Sequence, residues 1–288
     1  MDKAIRNGLD TENLQTHTGK SYSASATLWI VCILICVNVR PDFLFGQDVA
    51  TEHFYFSKTA YEPVAHWSYD GSTGPAFWAE LDRSYRLAKT GKRQSPIDID
   101  SKATIKTALP PLRFDYQPER IAAINNGHTI QHDETSQSFL TLGTDKFGLK
   151  QYHVHTPSEH TLDGKHFEME IHFVHKSDAG KVAVVALLVE ASEKSTLDFP
   201  VYRLPEGDGQ GVAYRGTRNA KDFLPTSLDY FSYPGSFTMP PCSEDVLWIV
   251  LKHPVAIHPG VIQRFRAILK ANNRPVQSLN DRVIRQSR

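Results

Sequence analysis

The chain has 288 residues, 40% of them apolar, and its 32 Lys plus Arg balance 32 Asp plus Glu. That apolar share supports a sizeable core and excludes a disordered chain, while neutrality leaves no field to draw nucleic acid or an anionic membrane surface. Three cysteines, two of them (Cys32 and Cys36) in one N-terminal apolar run, exclude a disulfide framework.

The first element is that run, Leu28 to Val37, ten residues long and preceded by Lys3, Arg6 and Lys20. A bilayer span needs about 20 residues, so the pattern reads as the apolar stretch of a signal peptide. Residues 1–46 are expected to direct export to the periplasm or the medium, with cleavage near Gly46, or to stay as an uncleaved membrane anchor. Residues 47–288 contain no repeat, low-complexity tract or dividing linker and are expected to form one domain. Helical periodicity appears at Ala76 to Leu87 and at Val261 to Lys270. Otherwise short β-type runs recur: Thr129 to Gln131, Phe139 to Leu142, Gln151 to His155, Phe167 to His175, Val182 to Val189 and Val246 to Leu251. Turn chemistry falls at Asn125-Asn126-Gly127, Asp163-Gly164 and Tyr233-Pro234-Gly235. The fold is therefore mainly β, and the nearly all-apolar Val182 to Val189 belongs in the middle of a large sheet, covered on both faces.

Two of these strands carry chemistry. The period-2 rule puts Gln151, His153 and His155 on one face, and Glu170, His172 and Val174 on a face opposite Met169, Ile171 and Phe173. If the segment with Asp163-Gly164 folds the two strands antiparallel, His172 approaches the other two histidines, because opposed Cβ atoms lie about 5 Å apart. Three neutral imidazoles suit Zn²⁺, which in catalytic sites takes three protein ligands and keeps a fourth position open. Gln151 and Glu170 stand where they can accept ring N–H groups and fix the tautomers. In a chain with 13 histidines an H-x-H pair alone fits a solvated surface pair equally well.

The order of motifs decides between these readings. His66-Trp67-Ser68-Tyr69, Gln94-Ser-Pro-Ile-Asp-Ile99, Asn125-Asn-Gly-His128, Gln151-Tyr-His-Val-His-Thr-Pro-Ser-Glu-His160, Glu170-Ile-His-Phe-Val-His175, Gly235-Ser-Phe-Thr-Met-Pro-Pro241 and Asn273-Arg-Pro-Val-Gln277 follow one another along the chain. Together they resemble the alpha carbonic anhydrases from His66 to Arg285. The resemblance implies a large, mostly antiparallel twisted sheet with a few short helices and a zinc ion at the bottom of a cone-shaped cavity. It implies hydration of carbon dioxide to bicarbonate by a zinc-bound hydroxide, and inhibition by sulfonamides and anions; no specific protein partner is indicated. By the same resemblance His153, His155 and His172 hold zinc, Thr238 and Glu159 orient the hydroxide, and His128 passes protons to solvent. Tyr69, Asn126, Val174, Val184, Phe237, Met239 and Trp248 are the matched pocket residues.

Three positions depart from the family's pattern. Phe237 stands where Leu is usual and Met239 where a polar residue is usual, so a bulkier and less polar pocket floor is expected. Cys242 has no cysteine between it and Cys36, so the bridge that many secreted relatives make from this position cannot form. Two rival readings are weaker. A cupin would follow Gly148-x4-His153-x-His155-x3-Glu159 with a Pro-x-Gly-x-x-His element, yet no proline lies between Pro157 and Pro200. A non-catalytic binding or storage relative would have lost ligands, yet all three histidines, Thr238 and Glu159 are present.

Overall fold

The computed structural model describes residues 53–55, 65–195, 197 and 203–288. The N-terminal apolar run, Cys32, Cys36 and the expected leader lie outside the described residues. Among the described residues no helix is long and apolar enough to cross a membrane.

One large sheet organises the described chain. Its central part comprises β1 (Ala122–Asn125), β2 (Ile130–Asp133), β3 (Asp145–His155), β4 (Met169–Lys176), β5 (Val182–Ala191), β6 (Tyr230–Ser236) and β7 (Glu244–Leu251). Across the sheet the order is β1, β2, β3, β4, β5, β7, β6. Every pairing in this stretch is antiparallel except β5 with β7. β5 is the run expected at the centre, and Val185, Ala186 and Leu187 have no exposed surface. Its two faces feed two separate apolar clusters, as period-2 alternation requires. Val185, Leu187 and Val189 join Met169, Ile171, Phe173, Tyr152 and Val154 on one side. Val184, Ala186 and Leu188 join Val174, Trp248 and Val250 on the other. That second face carries the site.

Three expectations need correction or refinement. The helix expected over Ala76 to Leu87 is broken into Trp78–Leu81, a 3-10 turn at Arg83–Tyr85 and Leu87–Thr90. Asp82 causes the break: its backbone is extended and its side chain accepts the Ser84 N–H, so it starts a new turn instead of continuing the old one. The helix expected over Val261 to Lys270 exists as α1 (Pro259–Leu269), with Pro259 in its first turn, the His258 side chain accepting the Gly260 N–H, and Ile262 and Phe265 buried. Tyr233-Pro234-Gly235, expected as a turn, lies inside β6 and pairs with Trp248, Leu247 and Val246 of β7. Proline is tolerated because the neighbour on the other side of β6 pairs only at Phe231 and Ser232. Pro234 thus sits on a local edge, where its missing N–H breaks no ladder bond.

Candidate metal centre

β3 and β4 run antiparallel with His153 opposite His172, His155 opposite Glu170 and Gln151 opposite Val174. The alternation seen in the sequence therefore brings the three histidines to one point, with ring centroids 4.6 to 5.2 Å apart. All three are buried, the most exposed retaining 3% of its surface. Asp163-Gly164 does turn the connecting chain, but within a small separate hairpin, Thr161–Leu162 against Lys165–His166.

Each ring is held by its outer nitrogen. His153 Nδ1 lies 2.7 Å from Gln151 Oε1, His155 Nδ1 2.7 Å from the Asn272 carbonyl, and His172 Nε2 2.8 Å from Glu170 Oε1. All three partners are acceptor oxygens, so the ring protons must sit on those outer nitrogens. The inner nitrogens, His153 Nε2, His155 Nε2 and His172 Nδ1, are left as bare lone pairs, and the triad's ligand atoms all fall within 4.8 Å of one another. His153 Nε2 and His155 Nε2 are buried without any hydrogen-bond partner. Burial, together with the neighbouring imidazoles, pushes the His153 pKa well below its usual value. Burial likewise takes His155 to about 4 and lowers His172. The rings are neutral at physiological pH, as metal ligands must be. Three buried neutral nitrogens aimed at one point fit a divalent zinc ion with one position left over.

Glu170 is the most heavily bonded acceptor in the site. Its Oε2 takes the backbone N–H groups of Glu159 and His160, and its Oε1 faces His160 Nδ1 at 2.6 Å as well as His172. Burial by itself would raise its pKa, but His160 and His172 with their hydrogen bonds drive it well below the usual carboxylate range. A chain of contacts continues outward: His160 Nε2 and Tyr233 Oη share a 2.7 Å hydrogen bond, and the Tyr233 hydroxyl donates to Ser95 Oγ at 2.9 Å. Ser95 Oγ also accepts the Ser236 N–H, two residues before Thr238. Glu159, fully buried, accepts the Arg274 N–H on Oε1 at 2.8 Å. Its Oε2 sits 3.6 Å from His155 Nε2 and 4.0 Å from His172 Nδ1. Burial raises its pKa to about 7 against the lowering effects of His172, the Arg274 N–H and the Thr238 side chain.

Comparison with known proteins identifies the family. A family model described as eukaryotic-type carbonic anhydrase matches residues 73–288. The chain belongs to the alpha carbonic anhydrase family. Carbonic anhydrases from Pectobacterium atrosepticum and Klebsiella pneumoniae are 40% and 42% identical to it, covering 80% and 77% of this chain and 93% and 91% of theirs. The alpha carbonic anhydrase of Thermovibrio ammonificans, solved in complex with sulfanilamide, shares 39% identity at a TM-score of 0.75, covering 77% of this chain and all of that one.

The remaining carbonic anhydrase positions fall around the triad unevenly. Val174, Val184 and Trp248 form a row across β4, β5 and β7, one register step from His172, and Phe237 packs against the same cluster. The Trp248 ring meets the His172 ring edge-on at 4.9 Å, and its Nε1 donates to the Ser236 carbonyl. Thr238 is buried and Met239 partly exposed, with the Met239 carbonyl accepting the Cys242 N–H. Cys242 is a buried free thiol, pushed up to about 11 by burial. The Tyr69 hydroxyl is buried, and burial followed by the Glu159 charge holds its pKa well above the usual value. His128 is half-buried, its ring stacked 3.7 Å from that of Trp67. Asn126 is exposed, and its Oδ1 accepts the His128 and Thr129 N–H groups, so it builds the turn that presents His128. Sequence reasoning missed Asn272, His160, Tyr233 and Ser95. Each stands inside or next to a quoted motif, and Asn272 immediately precedes Asn273-Arg-Pro-Val-Gln277.

Proposed function

We propose that the chain catalyses the reversible hydration of carbon dioxide to bicarbonate and a proton, with Zn²⁺ held by His153, His155 and His172. The observation that carries this reading is the set of inward imidazole nitrogens, proton-free because their rings are pinned from behind, in a buried site. Zinc supplies a Lewis acid that brings the pKa of a water to about 7, making hydroxide available at neutral pH. Thr238 would orient an oxygen held there by accepting its proton in a hydrogen bond while donating its own to Glu159, which the Arg274 N–H holds in place. Val174, Val184, Trp248 and Phe237 offer the apolar substrate a wall without competing hydrogen bonds. His128 accepts the released proton and passes it to buffer, imidazole being the side chain suited to proton relay at neutral pH.

Sulfonamides enter the same cavity on this reading, by analogy with the sulfanilamide complex of the Thermovibrio relative. Residues 1–46 direct export to the periplasm or the medium, or tether the enzyme to a membrane; the apolar run Leu28 to Val37 behind Lys3, Arg6 and Lys20 supports this.

Metal analysis with stopped-flow hydration tests the core of the proposal. The purified protein should carry about one zinc per chain, and His172→Ala should lose both tight zinc binding and activity. Retention of stoichiometric zinc and full hydration rates by that variant would refute the ligand assignment. His128→Ala should depress the proton-transfer-limited kcat, leave kcat/KM nearly unchanged and respond to added imidazole. Equal losses in both parameters without rescue would remove His128 from the relay.

A further inference from the structure

We infer that Asn272 is a positioning residue that fixes the metal ligand His155 and the turn bearing His128 relative to one another; this rests on the reading of the site given above. Asn272 retains 1% of its surface. Its backbone carbonyl accepts the His155 Nδ1 proton at 2.7 Å, and its side-chain Oδ1 accepts the Thr156 N–H at 2.8 Å. Its Nδ2 donates twice, to the Val154 carbonyl at 2.9 Å and to the His128 carbonyl at 3.0 Å. Its own N–H reaches the Thr156 carbonyl at 3.2 Å. Every polar atom of one residue is thus spent on the end of β3 and on the His128 turn.

The backbone ladder does not make this connection. β2 and β3 pair only from Gln131 opposite His153 to Asp133 opposite Gln151. Beyond His153 the strands part, and side chains take over: Thr129 Oγ1 donates to the Val154 carbonyl at 2.6 Å, and the Asn272 amide bridges Val154, Thr156 and His128. The job needs one acceptor and two donors in a single plane, which a primary amide supplies and a carboxylate or an apolar group does not. Asn126 and Trp67 set the local shape of the His128 turn. Asn272 hydrogen-bonds to both His155 and His128, which lie 117 and 144 residues before it in the chain. Proton transfer across water is steeply sensitive to donor and acceptor placement, so a turn free to drift would slow that step first.

Asn272→Ala keeps the carbonyl that holds His155 and deletes the three side-chain bonds. In the zinc-loaded whole chain it should lower the proton-transfer-limited kcat about fivefold, with a smaller loss of kcat/KM and partial rescue by imidazole. Zinc release to a chelator, a readout independent of turnover, should quicken by less than about tenfold, because the carbonyl behind His155 remains and only the side-chain bonds that hold it in place are lost. In a His128→Ala background the same substitution should lower kcat no further, since there is no longer a ring to misplace. Asn272→Ser, which keeps a small polar group, is measured alongside and should fall between parent and Ala. Ile249→Val, in the opposite core, should lower the melting temperature and leave kcat and zinc release alone. Equal kcat losses from Asn272→Ala with and without His128, or parental kcat and zinc release in both Asn272 variants, would overturn the inference while the parent still binds zinc and hydrates carbon dioxide. A parent that does neither would overturn the reading of the site, and this inference with it.

Discussion

Tyr233→Phe removes a single oxygen from a fully packed region, so its effect can be worked out from its two partners. Tyr233 is 1% exposed, and His160 and Ser95 have no exposed surface. Without the hydroxyl, His160 Nε2 loses its 2.7 Å partner, and no water can reach it unless the packing opens. Ser95 Oγ loses the 2.9 Å bond but keeps the Ser236 N–H, so its loss is smaller. Leaving a buried polar group unsatisfied costs about 1–3 kcal/mol, which suggests about 2 for His160 and about 1 for Ser95, or about 3 kcal/mol together. In a domain of this size that should lower the melting temperature by about 6–12 °C. Glu170 keeps all four of its N–H contacts, so zinc stoichiometry should not change. Calorimetry of the zinc-loaded parent and variant, with metal analysis of both, provides the measurement. A loss below about 0.5 kcal/mol would show that the two partners find other bonds, and that the contact chain outward from Glu170 carries little stability.

Gly235 is held by close approach: a Cβ there would stand 2.2 Å from Ser95 Oγ and 2.6 Å from Trp248 Cδ1. Gly235→Ala should therefore cost about 3 kcal/mol in urea unfolding, and a neutral outcome would mean that β6 shifts freely away from Ser95. Cys242 should resist iodoacetamide in the folded protein at pH 8, because burial raises its pKa to about 11; mass spectrometry of the peptide that carries it should find the modification only after denaturation. Phe237→Leu should raise kcat/KM and tighten binding of bulky aromatic sulfonamides, since Phe237 packs against the Val174, Val184 and Trp248 wall. A lower melting temperature with both constants unchanged would place the ring away from the cavity.

The convergence of the three histidines was legible because it depends on local rules. Alternation along β3 and β4 decides which side chains share a face, and the antiparallel register then sets His172 opposite His153. The central position of β5 was legible for the same reason, from an apolar run with no polar face. What the sequence hid depends on long-range packing. The bond from Tyr233 to Ser95 joins residues 138 apart, and that from Asn272 to His155 joins residues 117 apart; no periodicity encodes either. Pro234 looked like a turn former because its strand role depends on how short the neighbouring strand is. Asp82 broke an expected helix because the competing bond to Ser84 is invisible to apolar spacing.

The two faces of β4 explain how the fold tolerates so polar a centre. Met169, Ile171 and Phe173 lie in a core with no exposed surface, while Glu170, His172 and Val174 point the other way. Burying three imidazoles and two carboxylates would be ruinous if their polar atoms lacked partners. The folded chain instead bonds the Glu170 oxygens, the outer ring nitrogens and Glu159 Oε1. Among the described residues six buried side-chain polar atoms lack a hydrogen-bond partner, and three of them, His153 Nε2, His155 Nε2 and Glu159 Oε2, gather at this one point. Two are ring lone pairs and the third is a carboxylate oxygen, so the deficit there is of positive charge or of donors. A cation bound by the imidazole nitrogens would supply the missing positive charge.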